Sequence, residues 1–168
     1  MTEELNTEKN IYGIPFRELE NIDDIIPGKY HYNYKTVDFM FNWKENSEKL
    51  VILWHGSIQE KDRLPMFLKQ NYDEERISLL TISDKLLEFN TKNKKSFMTR
   101  SAAFMETEEN KVHCIYIEII KKCINLVNVE KNIFLGPCIG AKPAIYFGSI
   151  FNAIVVIANG WIYLSNEF

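Results

Sequence analysis

Long hydrophobic runs are missing from this sequence. No stretch reaches the about eighteen apolar residues that a membrane-spanning helix needs, and the nearest approach, Ala153 to Ala158, has the length of a buried strand. The first residues are acidic and polar, and they lack the basic start and apolar run of a secretory signal. We therefore expect a cytoplasmic protein with no membrane span.

Basic charge is also scarce. Lys and Arg number 20 against 23 Asp and Glu, which gives a formal net charge of -3, whereas nucleic-acid-binding proteins concentrate basic side chains on one face. The short cluster Lys92, Lys94 and Lys95 fits a solvated loop. We expect no nucleic-acid partner.

Cysteines and histidines are few, at three each. The cysteines form no closely spaced pair and leave an odd number, which favours a reduced protein without disulfides. Cys114 and Cys123 fall in a helical apolar pattern, so both are predicted to be small core residues. The histidines show no ligand spacing with the cysteines, so we predict no metal site, and we expect no cofactor.

The length of 168 residues and the hydrophobic content of 46% suffice for one domain with a substantial core. Residues 1–10 have no apolar periodicity and are predicted to be flexible. Residues 11–168 are predicted to form the single domain.

Tyrosine, phenylalanine and tryptophan alternate near the start of this domain. From Thr36 to Trp43 one side is taken by Val37, Phe39, Phe41 and Trp43 and the other by Asp38, Met40 and Asn42, which is the period of a half-buried strand. Tyr30, Tyr32 and Tyr34 alternate on the opposite parity, so a turn or bulge should separate the two runs. The pattern predicts an N-terminal antiparallel ribbon at a sheet edge.

Continuously apolar segments alternate with helical patterns in the rest of the chain. Strands covered on both faces, as in parallel sheets, have this composition. The strands are predicted at Leu50–Trp54, Ile77–Ile82, Ile133–Leu135 and Ala153–Ala158, and the helices at Lys111–Val127 and Ala144–Phe151. The fold class is therefore predicted to be α/β, a three-layer sandwich with a mostly parallel central sheet.

The segment Gly136-Pro-Cys138-Ile-Gly140 joins a predicted strand to a predicted helix. It matches the glycine-x-nucleophile-x-glycine pattern of a sharp strand-to-helix elbow. Cys138 is thus either a nucleophile or an inert thiol in a tight turn. Pro143 argues for a helix that starts later than the elbow requires, because proline removes a helical hydrogen bond.

Ligands of parallel sheets bind outside the carboxyl ends of the strands. Three polar features fall at such ends, namely His55-Gly56-Ser57, Ser83-Asp84 and Cys138. A nucleotide-binding loop would need a glycine-rich turn after the first parallel strand, and the His55 to Gln59 segment has one glycine.

A buried strand ending in His-Gly, followed by Gly-x-Cys-x-Gly and a helix of small and aromatic residues, resembles the α/β-hydrolase superfamily. Arg100-Ser-Ala-Ala-Phe104, the helix from Val112 to Ile124 and the segment from Phe134 to Gly148 look more particularly like hydrolase-like proteins encoded with bacterial capsular polysaccharide genes. The resemblance covers about residues 30 to 164.

The resemblance implies that Cys138 is the nucleophile and that the amides of Ile139 and of the Gly56-Ser57 turn form an oxyanion hole. His55 would be the general base or a structural residue, unless the base comes from another chain. Asp84 would orient a histidine or cap the next helix. The resemblance also implies a glycan or acyl substrate. The alternative function is that of a catalytically inactive binding or assembly module with the same fold.

The family's acid and base normally follow the nucleophile. Residues 139–168 contain neither histidine nor aspartate, and Glu167 is their one acid. We therefore expect an incomplete, shortened hydrolase-like sheet. Its C-terminal edge, with the apolar tail Trp161–Leu164, should be covered by a protein partner or a second copy.

Overall fold

The computed structural model describes residues 12–57, 65–67, 76–85, 87, 104 and 111–159. The predicted flexible segment 1–10 and the apolar tail Trp161–Leu164 lie outside these residues. None of the described helices is long and apolar enough to cross a membrane.

A single seven-stranded sheet forms the centre of the molecule, in the spatial order β1-β2-β3-β5-β4-β6-β7. Strands β5, β4, β6 and β7 are parallel, β1 is parallel to β2, and β3 is antiparallel to both of its neighbours. The bounds are β1 Phe16–Leu19, β2 Gly28–Tyr34, β3 Val37–Trp43, β4 Lys49–Leu53, β5 Ile77–Ile82, β6 Asn132–Pro137 and β7 Ile154–Ala158. The predicted α/β class is confirmed.

Two α-helices are described, α1 at His113–Val127 and α2 at Ala141–Ile150. Both pack on the same face of the sheet, because the rings of Tyr116 on α1 and Phe147 on α2 are in contact, with centroids 6.0 Å apart, within the hydrophobic core. A helical layer on the opposite face is not among the described residues. The three-layer arrangement therefore stays a prediction.

The antiparallel ribbon is confirmed as the hairpin of β2 and β3. Lys35 and Thr36 turn the chain with φ of 47° and 71°, the left-handed pair that matches the twist of a two-residue hairpin. The predicted edge position is wrong, because β1 pairs with the outer side of β2. A strand of four residues is too short to show an alternating pattern, so the sequence did not indicate it.

The central strands carry the core, as their composition predicted. β4 and β5 occupy the predicted segments, with Trp54 buried just beyond β4. On α1 the buried residues include Tyr116, Ile119, Ile120, Cys123 and Val127, which are the positions that its helical pattern assigns to the core.

Cys114 departs from its prediction, because it is exposed while Cys123 is buried. It lies one turn before Glu118 on α1, and residues four apart share one face of a helix. The apolar sequence around Cys114 therefore hid its position on the solvent side.

The last strand also departs from its prediction. β7 was expected to be buried, yet Ile154, Val156 and Ile157 are 49%, 41% and 39% exposed. The reason is topological, because β7 pairs with β6 on one side and is the last strand in the described sheet. Composition alone cannot distinguish a central apolar strand from an apolar strand at the edge.

The hairpin turn offers a test of this architecture. Thr36→Gly is expected to raise the free energy of unfolding by about 0.5–1 kcal/mol, because glycine adopts the left-handed conformation without the β-carbon clash that threonine pays. Thr36 is exposed, so no packing is lost. Urea unfolding with an unchanged m-value measures the gain, and a less stable variant would contradict the assigned turn.

Candidate functional site

The chain reverses direction sharply at Cys138. β6 ends at Pro137, a 3-10 turn follows over Cys138–Gly140, and α2 begins at Ala141. Cys138 has a φ of 52°, which is unusual for a residue with a side chain and stores about 1–3 kcal/mol of strain. The cysteine is half-buried. This strand-to-helix turn has the strained form that the sequence pattern predicted.

The two glycines around Cys138 are required by the packing. A β-carbon on Gly136 would overlap the carbonyl group of Gly140, and a β-carbon on Gly140 would lie 2.7 Å from the carbonyl oxygen of His55. In both cases the overlapping atoms belong to the backbone, so they cannot move away by a side-chain rotation. The turn after β6 therefore rests directly on the backbone at the end of β4.

The same packing brings Cys138 to the Gly56 turn. A β-carbon added at Gly56 would lie 3.4 Å from the β-carbon of Cys138, so the two residues are close neighbours. Gly56 is half-buried and Ser57 is exposed. Ile139 follows Cys138 at the start of the 3-10 turn, where backbone N–H groups have no acceptor within the helix. Four of the predicted site residues thus meet in one place: Cys138, Ile139, Gly56 and Ser57.

The α-helix starts after a 3-10 turn and not directly after Cys138, as Pro143 led us to expect, yet the left-handed conformation of Cys138 is retained. Pro143 is the third residue of α2, and the first turn of a helix leaves its N–H groups without intrahelical partners. Proline loses nothing at such a position. The helix begins at Ala141, three residues before the predicted Ala144.

His55 is buried, with 2% of its surface exposed, and both of its ring nitrogens are engaged. Nε2 accepts a hydrogen bond from the backbone N–H of Asp84 at 3.2 Å, and Nδ1 lies 2.9 Å from the carbonyl oxygen of Gly56. A carbonyl oxygen only accepts, so these partners assign the proton to Nδ1. His55 is a neutral donor to the turn that follows it.

The surroundings of His55 keep it neutral. Burial lowers the pKa of His55, and this outweighs the Gly56 carbonyl and the negative charge of Asp84, which both raise it. Protonation would also place a second N–H against the N–H of Asp84. The geometry favours the structural role of His55 over the role of a general base, which stays a prediction.

Asp84 is fully buried at the end of β5. One carboxylate oxygen accepts the N–H of Leu87 at 3.4 Å, and the other accepts the N–H of Phe104 at 2.8 Å. The first bond joins residues three apart, which is the geometry of a capping aspartate, and Lys85 and Leu87 are helical. The backbone N–H of Asp84 bonds to Nε2 of His55, while the role of the Asp84 carboxylate in orienting a histidine stays a prediction.

Phe104 is a residue of this site that the sequence reasoning missed. Its φ is 59°, a genuine outlier for a bulky side chain. Its N–H is held by Asp84, and its carbonyl accepts a hydrogen bond from Nε2 of His113 at 2.7 Å. Its buried ring contacts the rings of His55 and Trp54, with centroids 4.9 and 4.7 Å away. No sequence pattern marks a left-handed phenylalanine.

Each of the three histidines of the chain makes a hydrogen bond to a group other than Cys138. His31 bonds to the carboxylate of Asp38 at 2.8 Å, His55 to backbone groups, and His113 to the Phe104 carbonyl. Among the described residues, no group of three or more His, Cys, Asp or Glu side chains could hold a metal ion.

No protein-family model matches the chain, and no curated protein or solved structure matches it significantly.

The close backbone contact at the turn can be tested with alanine. Gly136→Ala and Gly140→Ala are each expected to lower the free energy of unfolding by about 1–3 kcal/mol, because the added methyl groups overlap backbone atoms. Gly56→Ala is the matched control, since its β-carbon would have 3.4 Å of room. It should change stability by about 0.5 kcal/mol or less. Equal losses in all three variants would argue against the packing.

The burial of neutral His55 predicts a pH dependence of stability. Its folded-state pKa lies below the unfolded value of about 6.5. Below this pH, His55 is therefore protonated more readily in the unfolded chain than in the folded chain. The contribution of His55 is complete above this value and is lost as the pH falls below it. We expect the free energy of unfolding to fall as the pH is lowered from 7.5 to 5.5.

His55→Gln provides the comparison, because glutamine keeps hydrogen-bonding capacity but does not titrate. Urea unfolding at the two pH values should show a flatter dependence in this variant than in the unaltered protein. Parallel profiles would show that His55 does not resist protonation.

Proposed function

We propose that this chain is an α/β-hydrolase-like protein that carries out acyl chemistry through Cys138. The single observation that supports this most is the left-handed Cys138 between two glycines that the packing requires. Such a turn pushes a nucleophile out of the sheet towards a substrate. An inert cysteine gives no physical reason for the cost of this conformation.

The surroundings of Cys138 support an oxyanion site. β4 and β6 are adjacent parallel strands, so the Gly56-Ser57 turn and the Cys138 turn emerge side by side at the same sheet end. The N–H of Ile139 and that of Ser57 are the two proposed donors. Removing one such donor typically costs about 3–4 kcal/mol of transition-state stabilisation.

The proposed reaction is an acyl transfer onto sulfur. The Cys138 thiolate attacks the carbonyl carbon of an ester or thioester, and the carbonyl electrons move onto oxygen, where the two N–H groups hold the charge. When the carbonyl re-forms, the bond to the leaving group breaks, and the leaving group departs and takes a proton from water. The oxygen of a sugar hydroxyl or of water then attacks the carbonyl carbon of the acylated cysteine, and its proton passes to the hydroxide left by the first step. The bond between carbon and sulfur breaks, which returns the Cys138 thiolate.

The biological setting comes from the resemblance of this chain to hydrolase-like proteins encoded with capsular polysaccharide genes. We propose that the acyl acceptor is a glycan of a cell-surface polysaccharide and that the reaction takes place in the cytoplasm. The hydroxyl groups of a glycan are suitable acceptors for the acyl thioester.

A second candidate function is a binding or assembly module that retains the sheet and presents the same cleft without turnover. The observation that favours it is His55, whose two ring nitrogens are engaged with backbone groups. In that function Cys138 would be no more reactive than an ordinary thiol.

Acylation of the cysteines by p-nitrophenyl acetate at pH 7.5 distinguishes the two functions. We expect Cys138 to acylate at least about tenfold faster than the exposed Cys114, because the proposed oxyanion donors lie at Cys138. Cys114 serves as the control within the same molecule. Peptide mapping by mass spectrometry gives both rates.

Cys138→Ala should leave only the slow labelling of Cys114, while Cys114→Ala should leave the fast labelling in place. If Cys138 acylates no faster than Cys114, the acyl-transfer proposal fails and the binding module becomes the better description.

A further inference from the structure

Asp84 makes hydrogen bonds to three separate parts of the site. Its backbone N–H donates to Nε2 of His55, and its carboxylate accepts the N–H groups of Leu87 and Phe104. The residue is fully buried. Its main chain and its side chain are therefore fixed together.

The bond from His55 to Gly56 determines how the next peptide is turned. The Gly56 carbonyl is held by Nδ1–H of His55, and the peptide between Gly56 and Ser57 is planar and trans, so its N–H is opposed to its C=O. The N–H of Ser57 therefore points away from the His55 ring. This is the N–H group proposed as the second oxyanion donor.

Phe104 supports the same arrangement from the other side. Its ring lies against the ring of His55, and the hydrogen bonds from Asp84 and His113 hold both polar groups of its backbone. A left-handed phenylalanine persists only where its surroundings enforce it. The hydrogen bonds of the Phe104 backbone with Asp84 and His113 hold it in this conformation.

We propose that Asp84 is a positioning residue for the oxyanion site, acting through His55 and Phe104 on the Gly56-Ser57 peptide. The inference rests on the proposed acyl chemistry at Cys138. Asp84 takes no proton and touches no substrate in this role. It fixes the tautomer of His55 with its backbone N–H, and it fixes the Phe104 ring over His55 with its carboxylate.

The test compares two reactions of Cys138 that differ in their need for an oxyanion site. Acylation by p-nitrophenyl acetate develops a negative oxygen, whereas alkylation by iodoacetamide does not. Asp84→Asn keeps the size of the side chain but leaves one acceptor oxygen for two N–H groups. We expect it to slow acylation of Cys138 about 10- to 100-fold while alkylation stays within about twofold.

Two controls accompany this variant. Asp38→Asn alters a second Asp–His contact, that with His31 on β2, and should leave the ratio of the two rates unchanged. His113→Phe keeps an aromatic ring against Phe147 but removes the donor to Phe104, and it should lower the ratio in the same direction as Asp84→Asn. Equal slowing of acylation and alkylation in Asp84→Asn would overturn the positioning role.

A measurement on the unaltered protein separates this inference from the acyl chemistry itself. Nitrogen-15 NMR of the imidazole rings should find His55 neutral, with its proton on Nδ1. A proton on Nε2, or a ring charged at pH 7, would overturn the positioning role even if Cys138 is readily acylated. The Nδ1–H tautomer together with slow acylation would contradict the proposed function alone.

Discussion

Two stretches of backbone meet at the end of the sheet with no room for a side chain between them. The turn after β6 lies on the carbonyl groups of Trp54 and His55, and only glycine at position 140 allows that approach. Once this contact is made, β6 must lie beside β4, Cys138 must face Gly56, and α2 must leave the sheet at Ala141. The position of every proposed reactive group follows from this one steric constraint.

The occupation of His55 explains why a cysteine suits this position. A serine at the same turn would need a base to remove its proton, and the ring nitrogens of His55 are committed to the Gly56 carbonyl and the Asp84 amide. A thiol ionises far more readily than a hydroxyl and is intrinsically more nucleophilic. In the proposed chemistry a cysteine therefore suits this turn, and the proposed roles of His55 and Asp84 are to hold the geometry of the site.

The sequence predicted those parts of the fold that local periodicity encodes. The strand Ile77–Ile82 and the buried face of α1 could be predicted from the sequence, because continuous or helically spaced apolar residues indicate which side chains of their own strand or helix are buried. The glycine spacing around Cys138 predicted the turn, because a sharp turn depends on residues that are close together in sequence. The exposure of β7 and the position of β1 could not be read, because both depend on which strand lies next to which. Phe104 was missed because its conformation is imposed by Asp84 and His113, which are distant in sequence.

The composition of β7 determines the thermodynamics of any contact at that edge. Four consecutive β-branched residues from Ile154 to Ile157 carry no charge, so added salt has no attraction or repulsion between side chains to screen. Burial of such surface is driven by water release and weakens on cooling. Assemblies formed through β7 would therefore dissociate on cooling and persist at high salt. Light scattering across temperature at two ionic strengths can measure both effects.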